Sequence, residues 1–187
     1  MPARADSGGK LRIVGGTLRG SRLDVPAAPG LRPTPDRVRE TLFNWLAPVI
    51  EGACCLDLYA GTGALGIEAL SRGAAQVDFV EADPGLTLLL RANLARLKQA
   101  AAVHRRDALQ FLAATDARYD IVFVDPPFSA GLWTAVANAL EARDRLQPNA
   151  LIYIETPAGE IPAMPPNWAL HREGRAGAVH YALYRRS

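Results

Sequence analysis

Asp57-Leu58-Tyr59-Ala60-Gly61-Thr62-Gly63-Ala64-Leu65-Gly66 decides the fold. The stretch leaves the apolar run Cys54 to Leu58 and leads into residues at helical spacing, so it reads as a strand, a glycine turn and the opening of a helix. Gly61, Gly63 and Gly66 match the spacing G-x-G-x-x-G, which lets the backbone approach a ligand and the helix pack closely on the strand. Glu81 lies twenty positions after Gly61, at the end of the next apolar run, where a carboxylate can hydrogen-bond ribose hydroxyls. Spacing alone also suits a dinucleotide enzyme, or a turn that merely needs small residues.

Outward from this loop, short apolar runs alternate with helical ones. Strands are expected at Cys54 to Leu58, Gln76 to Glu81, Ala101 to Arg105, Ile121 to Val124 and Leu151 to Glu155. Helices fall between them, at about Ala64 to Arg72, Pro84 to Leu97, Ala108 to Ala114 and Leu132 to Arg143. That alternation demands right-handed crossovers and an α/β fold with a mostly parallel sheet covered on both faces. At the C-terminus, Trp168 to Glu173 and Ala178 to Arg185 read as an antiparallel hairpin turning through Gly174 to Gly177.

At the N-terminus, Leu11 to Val14 and Thr17 to Val25 read as a β-hairpin turning at Gly15-Gly16, an appendage too small for its own core and removable without unfolding the rest. Pro26, Pro29, Gly30, Pro33 and Pro35 mark an extended connector. Thr34 is expected to N-cap a helix with Pro35 at its first position and Val38, Leu42, Trp45 or Leu46, and Val49 on its inner face. The expected division is a disordered leader over 1–10, the hairpin and connector over 11–33, and one α/β domain over 34–187.

The composition suits one such domain: 187 residues, 49% hydrophobic and 21% charged. A chain of this size buries roughly 70% of the surface its unfolded form exposes, so it needs neither disulfides nor a structural metal. No apolar run reaches the roughly 18 residues of a membrane span, and residues 1–10 lack the apolar core of a signal peptide, which places the protein in the cytoplasm. Cys54 and Cys55 are adjacent, and His104, His171 and His180 are scattered, so no disulfide or metal site is expected. The net charge of +2 hides an asymmetry: residues 1–40 carry eight Lys or Arg against four acids, and the remaining 147 carry 13 against 15. The basic excess at the N-terminus suits a polyanion.

Charge separates the ligands the glycine loop admits. Asp57 at the strand tip repels a pyrophosphate, whereas the ammonium and sulfonium of S-adenosylmethionine are attracted to it. The chain here resembles class I S-adenosylmethionine-dependent methyltransferases. That resemblance implies cofactor contacts from Gly61, Thr62, Gly63 and Gly66, ribose contacts from Glu81, and adenine contacts from Asp107 and Ala108. Two of these acids have competing structural readings: Asp57 as a cap on the amides that follow it, and Asp107 as a helix N-cap.

Asp125-Pro126-Pro127-Phe128 ends the fourth expected strand, at the edge where open parallel sheets bind ligands. Paired prolines stiffen the strand exit and leave the Asp125 side chain and the Pro126 carbonyl as two acceptors, which suits an exocyclic amine with two hydrogens. Holding both N–H groups aims the nitrogen lone pair and stabilises the positive charge that grows on it, while Phe128 stacks on a flipped base. The tetrapeptide is similar to the Asp/Asn/Ser-Pro-Pro-aromatic signature of amino-group methyltransferases.

Together these stretches resemble one family, the bacterial small-subunit (16S) ribosomal RNA guanine-N2 methyltransferases of the RsmD type. The matching residues are Arg12-Ile13-Val14-Gly15-Gly16, Leu31-Arg32-Pro33-Thr34, Asp36 to Leu46, Gly63 to Gly66 with Glu68 to Arg72, Val122 to Phe128, and Asn167-Trp168 with Leu170 to Glu173. The resemblance implies a seven-stranded class I sheet with an N-terminal hairpin that holds RNA. It also implies transfer to N2 of a specific guanine, guanine 966 in the family's activity, and a substrate that is 16S rRNA or an assembling small subunit, met by a monomer. Arg32, Thr34 and Arg37 would then lie near the methionine end of the cofactor or the RNA, although Arg37 and Arg39 also suit a solvated helix face. Arg12, Arg19 and Arg22 would contact phosphates. The competing readings are a nucleic-acid adenine-N6 methyltransferase, which uses the same tetrapeptide, and an NAD-dependent oxidoreductase, in which it would have no role.

Overall fold

The computed structural model describes residues 9–27, 31 and 33–187. Hairpin strands β1 (Lys10–Arg12) and β2 (Arg22–Asp24) and helix α1 (Asp36–Leu46) come first. Strands and helices then alternate as β3 (Cys54–Asp57), α2 (Ala64–Ser71), β4 (Gln76–Glu81), α3 (Pro84–Arg96), β5 (Ala102–Arg105), α4 (Ala108–Ala114), β6 (Tyr119–Val124), α5 (Trp133–Ala142) and β7 (Leu146–Pro157). The chain closes with β8 (Trp168–Ala176) and β9 (Val179–Arg186). No described helix is long and apolar enough to cross a membrane.

Strands β3 to β9 form one seven-stranded sheet in the order β5-β4-β3-β6-β7-β9-β8. The pairs among β3 to β7 are parallel and those of β9 with β7 and β8 antiparallel, so the expected mostly parallel sheet with a C-terminal antiparallel hairpin is present. Strand order reverses at β3, which leaves a crevice at the carboxyl ends of β3 and β6. Apolar side chains of α1, α2 and α3 fill one face of the sheet, and those of α4 and α5 the other.

The C-terminal turn is tighter than its glycines suggest. Ala176 pairs with Val179, so Gly174 belongs to the strand, and it must be glycine there because an added Cβ would stand 2.4 Å from the Tyr181 ring.

The N-terminal hairpin departs further from expectation. Its turn lies over Gly16 to Gly20, where the Arg19 amide donates to the Gly16 carbonyl at 3.2 Å and the Gly20 amide to the Ile13 carbonyl at 2.9 Å. Gly15 and Gly16 are instead pressed against α2, and a Cβ on Gly16 would stand 2.0 Å from the Ser71 carbonyl oxygen. Nor is the hairpin a removable appendage, because Leu11, Ile13 and Leu23 are buried in the same core as Val38, Leu42 and Leu65. Of the expected leader, residues 1–8 lie outside the described residues and Lys10 already opens β1; Ala28, Pro29, Gly30 and Arg32 of the connector also lie outside them.

Helix α1 begins at Asp36, with Pro35 in the cap position and no side-chain cap. Thr34 does not cap it, because its hydroxyl donates to Glu155 Oε1 at 2.9 Å, and a bond to a buried carboxylate is stronger than one to a backbone amide. The inner face carries Val38, Leu42 and Leu46 as expected and adds Phe43, but Val49 is exposed and Ile50 buried, since the helix has ended and its period no longer applies.

Candidate active site

Strand register fixes the heights of the acids along the carboxyl edge. Asp57 pairs with Phe79 on β4 and Phe123 on β6, so Glu81 and Asp125 stand two residues further out on either side of the glycine loop. Two strand spacings separate them, about 10 Å.

On the β3–β4–β5 side, Asp57 is 2% exposed and its Oδ2 accepts from the Gly66 amide at 2.9 Å. Burial pushes its carboxyl up to about 7, assisted by the charge of Glu81 and opposed by the Gly66 bond. A carboxylate under such pressure gains most from a cationic partner. Glu81 accepts from the Gly61 amide at 3.0 Å and the Asp83 amide at 2.7 Å. Asp107 caps α4 through the Gln110 amide at 3.1 Å, and Ala108, buried, is the first residue of that helix. Asp57 and Asp107 thus perform the structural roles read for them, and each carboxylate keeps further lone pairs for a ligand.

Within the loop, Gly63 has φ +86°, where a side chain would be strained, and Gly66 lies so close to β4 that a Cβ would stand 2.2 Å from the Phe79 ring. Thr62 is buried between them. Tyr59 Oη is buried and has no hydrogen-bond partner among the described residues, while burial and the charge of Asp107 hold its proton up to about 12. A buried hydroxyl in that condition calls for a polar ligand group.

On the β6–β7 side, Asp125 is half-buried, Pro126 buried and Pro127 exposed. Phe128 opens a short 3₁₀ turn, Phe128–Ala130, and its ring lies 6.1 Å from that of Trp133. Trp133 in turn donates from Nε1 to the Glu155 carbonyl at 2.8 Å, joining the tetrapeptide's turn to the end of β7. The Glu155 side chain is 6% exposed, and its Oε1 accepts from Thr34 and from the Tyr153 hydroxyl at 2.6 Å. Burial, with the charges of Glu155 and Asp125, pushes the Tyr153 hydroxyl well above its ordinary value. Sequence reasoning missed Glu155; its one signal was an acid ending the apolar run Leu151 to Ile154, at the position Glu81 and Asp125 occupy after their own strands.

The basic residues divide. Arg12 and Arg22 are cross-strand partners on the outer face of the hairpin, with Arg12 3.6 Å from Asp36. Arg19 lies in the turn beside Ser71, at the C-terminal end of α2 and hence toward the opposite edge of the sheet from Asp125. Arg37 is exposed on α1, and Arg32 lies outside the described residues.

Arg39, grouped with Arg37 as a solvated face, is instead wholly buried. Its Nη1 donates to Glu68 Oε2 at 3.2 Å and to the Arg12 carbonyl at 2.8 Å, its Nε donates to the Thr34 carbonyl at 3.2 Å, and it pairs with Asp36. Glu68, equally buried, also accepts from the Val14 and Gly15 amides at 2.9 and 2.8 Å and from Arg72 at 3.0 Å. Burial lowers the Arg39 pKa against the pull of its two acids. This pair ties the hairpin to α1 and α2 and thereby sets where Thr34 stands.

The family described as Conserved hypothetical protein 95 matches residues 11–185. The ribosomal RNA small subunit methyltransferase D of Escherichia coli strain K12 is 53% identical over 180 residues, covering 95% of this chain and 91% of that protein. The solved structure of the Escherichia coli protein yhhF matches with a TM-score of 0.89 at 50% identity, covering 96% of this chain and 99% of that one. An RNA methyltransferase from Salinibacter ruber in complex with S-adenosyl-L-homocysteine, 21% identical, shares the fold with a TM-score of 0.64 over 83% of this chain and 94% of that one. On the length and identity of these matches, the chain belongs to the family of the ribosomal RNA small subunit methyltransferases D.

Proposed function

We propose that the protein methylates the exocyclic N2 of a guanine in small-subunit (16S) ribosomal RNA, using S-adenosylmethionine. The cofactor supplies a methyl group on a positively charged sulfur. The residues present fit it: buried Asp57 gains from a cation, the buried Tyr59 hydroxyl has no hydrogen-bond partner among the described residues, and Glu81 and Asp107 retain lone pairs for ribose and adenine. The names of the family's relatives support ribosomal RNA as the substrate class.

The observation that carries the reading is the pair of acceptors after β6, the Asp125 carboxylate and the Pro126 carbonyl, two residues beyond the level of Asp57. A guanine amine is a poor nucleophile because its lone pair is conjugated with the ring. With both N–H groups held, the nitrogen pyramidalises and its lone pair is aimed at the methyl carbon. The cofactor would supply the methyl group with the C–S bonding pair left on sulfur, and Asp125 would stabilise the positive nitrogen until its proton leaves to the carboxylate or to water. Phe128, braced by Trp133, offers a ring for the base to stack on.

The test is to incubate the purified protein with labelled S-adenosylmethionine and small subunits from cells lacking the gene, then map the methyl by digestion and mass spectrometry. Label on guanine N2 is expected. Label on adenine would favour the N6 reading, and calorimetry showing NAD bound in place of S-adenosylmethionine would overturn the cofactor assignment.

A further inference from the structure

Glu155 is a nearly buried carboxylate that the transfer step above leaves unused. Its Oε1 is held by the Thr34 and Tyr153 hydroxyls, while its Oε2 accepts no hydrogen bond among the described residues. Val124 pairs with Ile154 as the last pair of β6 with β7, so Asp125, the first residue past β6, leaves from a point one strand spacing, about 4.8 Å, from the β7 strand that carries Glu155. Two residues earlier, the rings of Phe123 and Tyr153 lie 6.4 Å apart on one face of the sheet, and strand alternation puts Glu155 on that face as well. The charge of Asp125 reaching the Tyr153 hydroxyl agrees with this placement.

We infer that Glu155 is a specificity-determining residue that selects guanine, accepting its N1–H through Oε2 while Asp125 and the Pro126 carbonyl hold N2. The inference rests on the guanine-N2 reading above and deepens it. Guanine presents two adjacent donors on one edge, N1–H and the 2-amino group. Adenine presents an amino donor beside N1, which is an acceptor. An ionised carboxylate only accepts, so beside the amine site it matches guanine and sets lone pair against lone pair with adenine. Thr34 and Tyr153 lock the carboxylate in one orientation, which makes the open oxygen a fixed test of the edge rather than a flexible one. One hydrogen bond to a charged acceptor corresponds to about 10–100-fold in discrimination.

The alternative role is a structural one, in which Glu155 merely fastens the entry of α1 to β7 through Thr34. The two are separated by a small-subunit RNA substrate carrying either guanine or 2-aminopurine at the target position. 2-Aminopurine keeps the 2-amino group but has a lone pair at N1 in place of N1–H. The wild type is expected to favour guanine in kcat/KM by at least about 10-fold. Glu155→Gln keeps an oxygen for Thr34 and Tyr153 and puts an N–H donor where Oε2 was, so it should lower that preference about tenfold or more, with S-adenosylmethionine affinity within a few fold. The lost O6 of 2-aminopurine affects both enzymes alike, so the change in ratio reports on N1 alone.

Equal losses on both substrates, or an unchanged ratio, overturn the inference. If the Gln variant fails to fold, Glu155→Asp, which keeps the charge and draws it back by one carbon, must lower the same ratio, and an unaltered ratio there is equally fatal. A wild type that leaves small-subunit guanine unmethylated overturns the guanine-N2 reading itself. Methylation of guanine N2 with a ratio indifferent to Glu155 overturns only the selectivity role.

Discussion

The two halves of the carboxyl edge hold their acids by different means. On the β3–β4–β5 half, the amides that Asp57, Glu81 and Asp107 accept from lie 9, 2 and 20, and 3 positions away along the chain. On the β6–β7 half, Glu155 is held by the Tyr153 hydroxyl two positions away and also by a hydroxyl 121 positions away, on a segment whose own place depends on the buried Arg39–Glu68 pair 29 positions apart. Short loops close at little entropic cost, so the first half assembles with its own strand–turn–helix units. The second half is correct only once α1 and the hairpin have docked. The half proposed to hold the cofactor, the cofactor half, should therefore tolerate distant damage, whereas the half proposed for methyl transfer, the transfer half, should inherit it.

The largest expected effect breaks the transfer half alone. Asp125→Ala should lower single-turnover methyl transfer about 10³-fold or more, while calorimetric affinity for S-adenosylmethionine stays within a few fold. Turnover that survives the change would remove the acceptor pair from the mechanism. Glu68→Ala comes next, since it strands buried Arg39 and two backbone amides; urea unfolding should show a loss of about 3–5 kcal/mol. Deleting residues 9–24 should destabilise the core for the same reason, and a deletion with an unshifted unfolding curve would restore the view of the hairpin as an appendage. In protein that remains folded, both changes should impair RNA transfer more than cofactor binding.

A smaller effect sharpens the cofactor half. The Asp57 carboxyl has an ordinary value of 3.8 and is pushed up to about 7 in the fold. A cationic ligand prefers the ionised form, so affinity should fall toward tenfold per pH unit below about 7, and Asp57→Asn should flatten that dependence in calorimetry. Stability has the opposite sense. Between 3.8 and about 7 the folded protein keeps a proton that the unfolded chain has released, so stability without ligand falls as pH rises through that window, and the Asn variant should lose this slope.

The smallest effects concern the arginines. Arg22→Ala should reduce the slope of log affinity for RNA against log salt by about 0.7–0.9. Arg12→Ala should reduce it less, because Asp36 already faces that guanidinium. Arg19→Ala, toward the far edge of the sheet, should leave the slope unchanged, and an equal drop for all three would mean that the RNA wraps the whole hairpin.

Most of the fold was legible because each signal was local. Gln76 to Glu81 and Ala108 to Ala114 fall where periodicity placed them, and the glycine loop turns as its spacing requires. Errors gathered where a residue's partner is remote. Gly15-Gly16 looks like a turn, yet it is a close approach to Ser71, and Thr34 looks like a cap, yet it answers to Glu155. Arg37 and Arg39 are indistinguishable as letters on an amphipathic helix; Arg39 is buried because Glu68 and three carbonyl or carboxylate groups await it.

The strand–helix alternation, the glycine loop with its acids, and the place of Asp125-Pro126-Pro127-Phe128 at the end of a strand were all legible in the residues alone, because backbone period and local hydrogen bonds decide them. Only the closed fold fastens the carboxylate of Glu155 on β7 to Thr34 and leaves an arginine of α1 with no solvent. A side chain's neighbours across the chain are set only after the sheet has closed, and no pattern of residue types within one segment contains them.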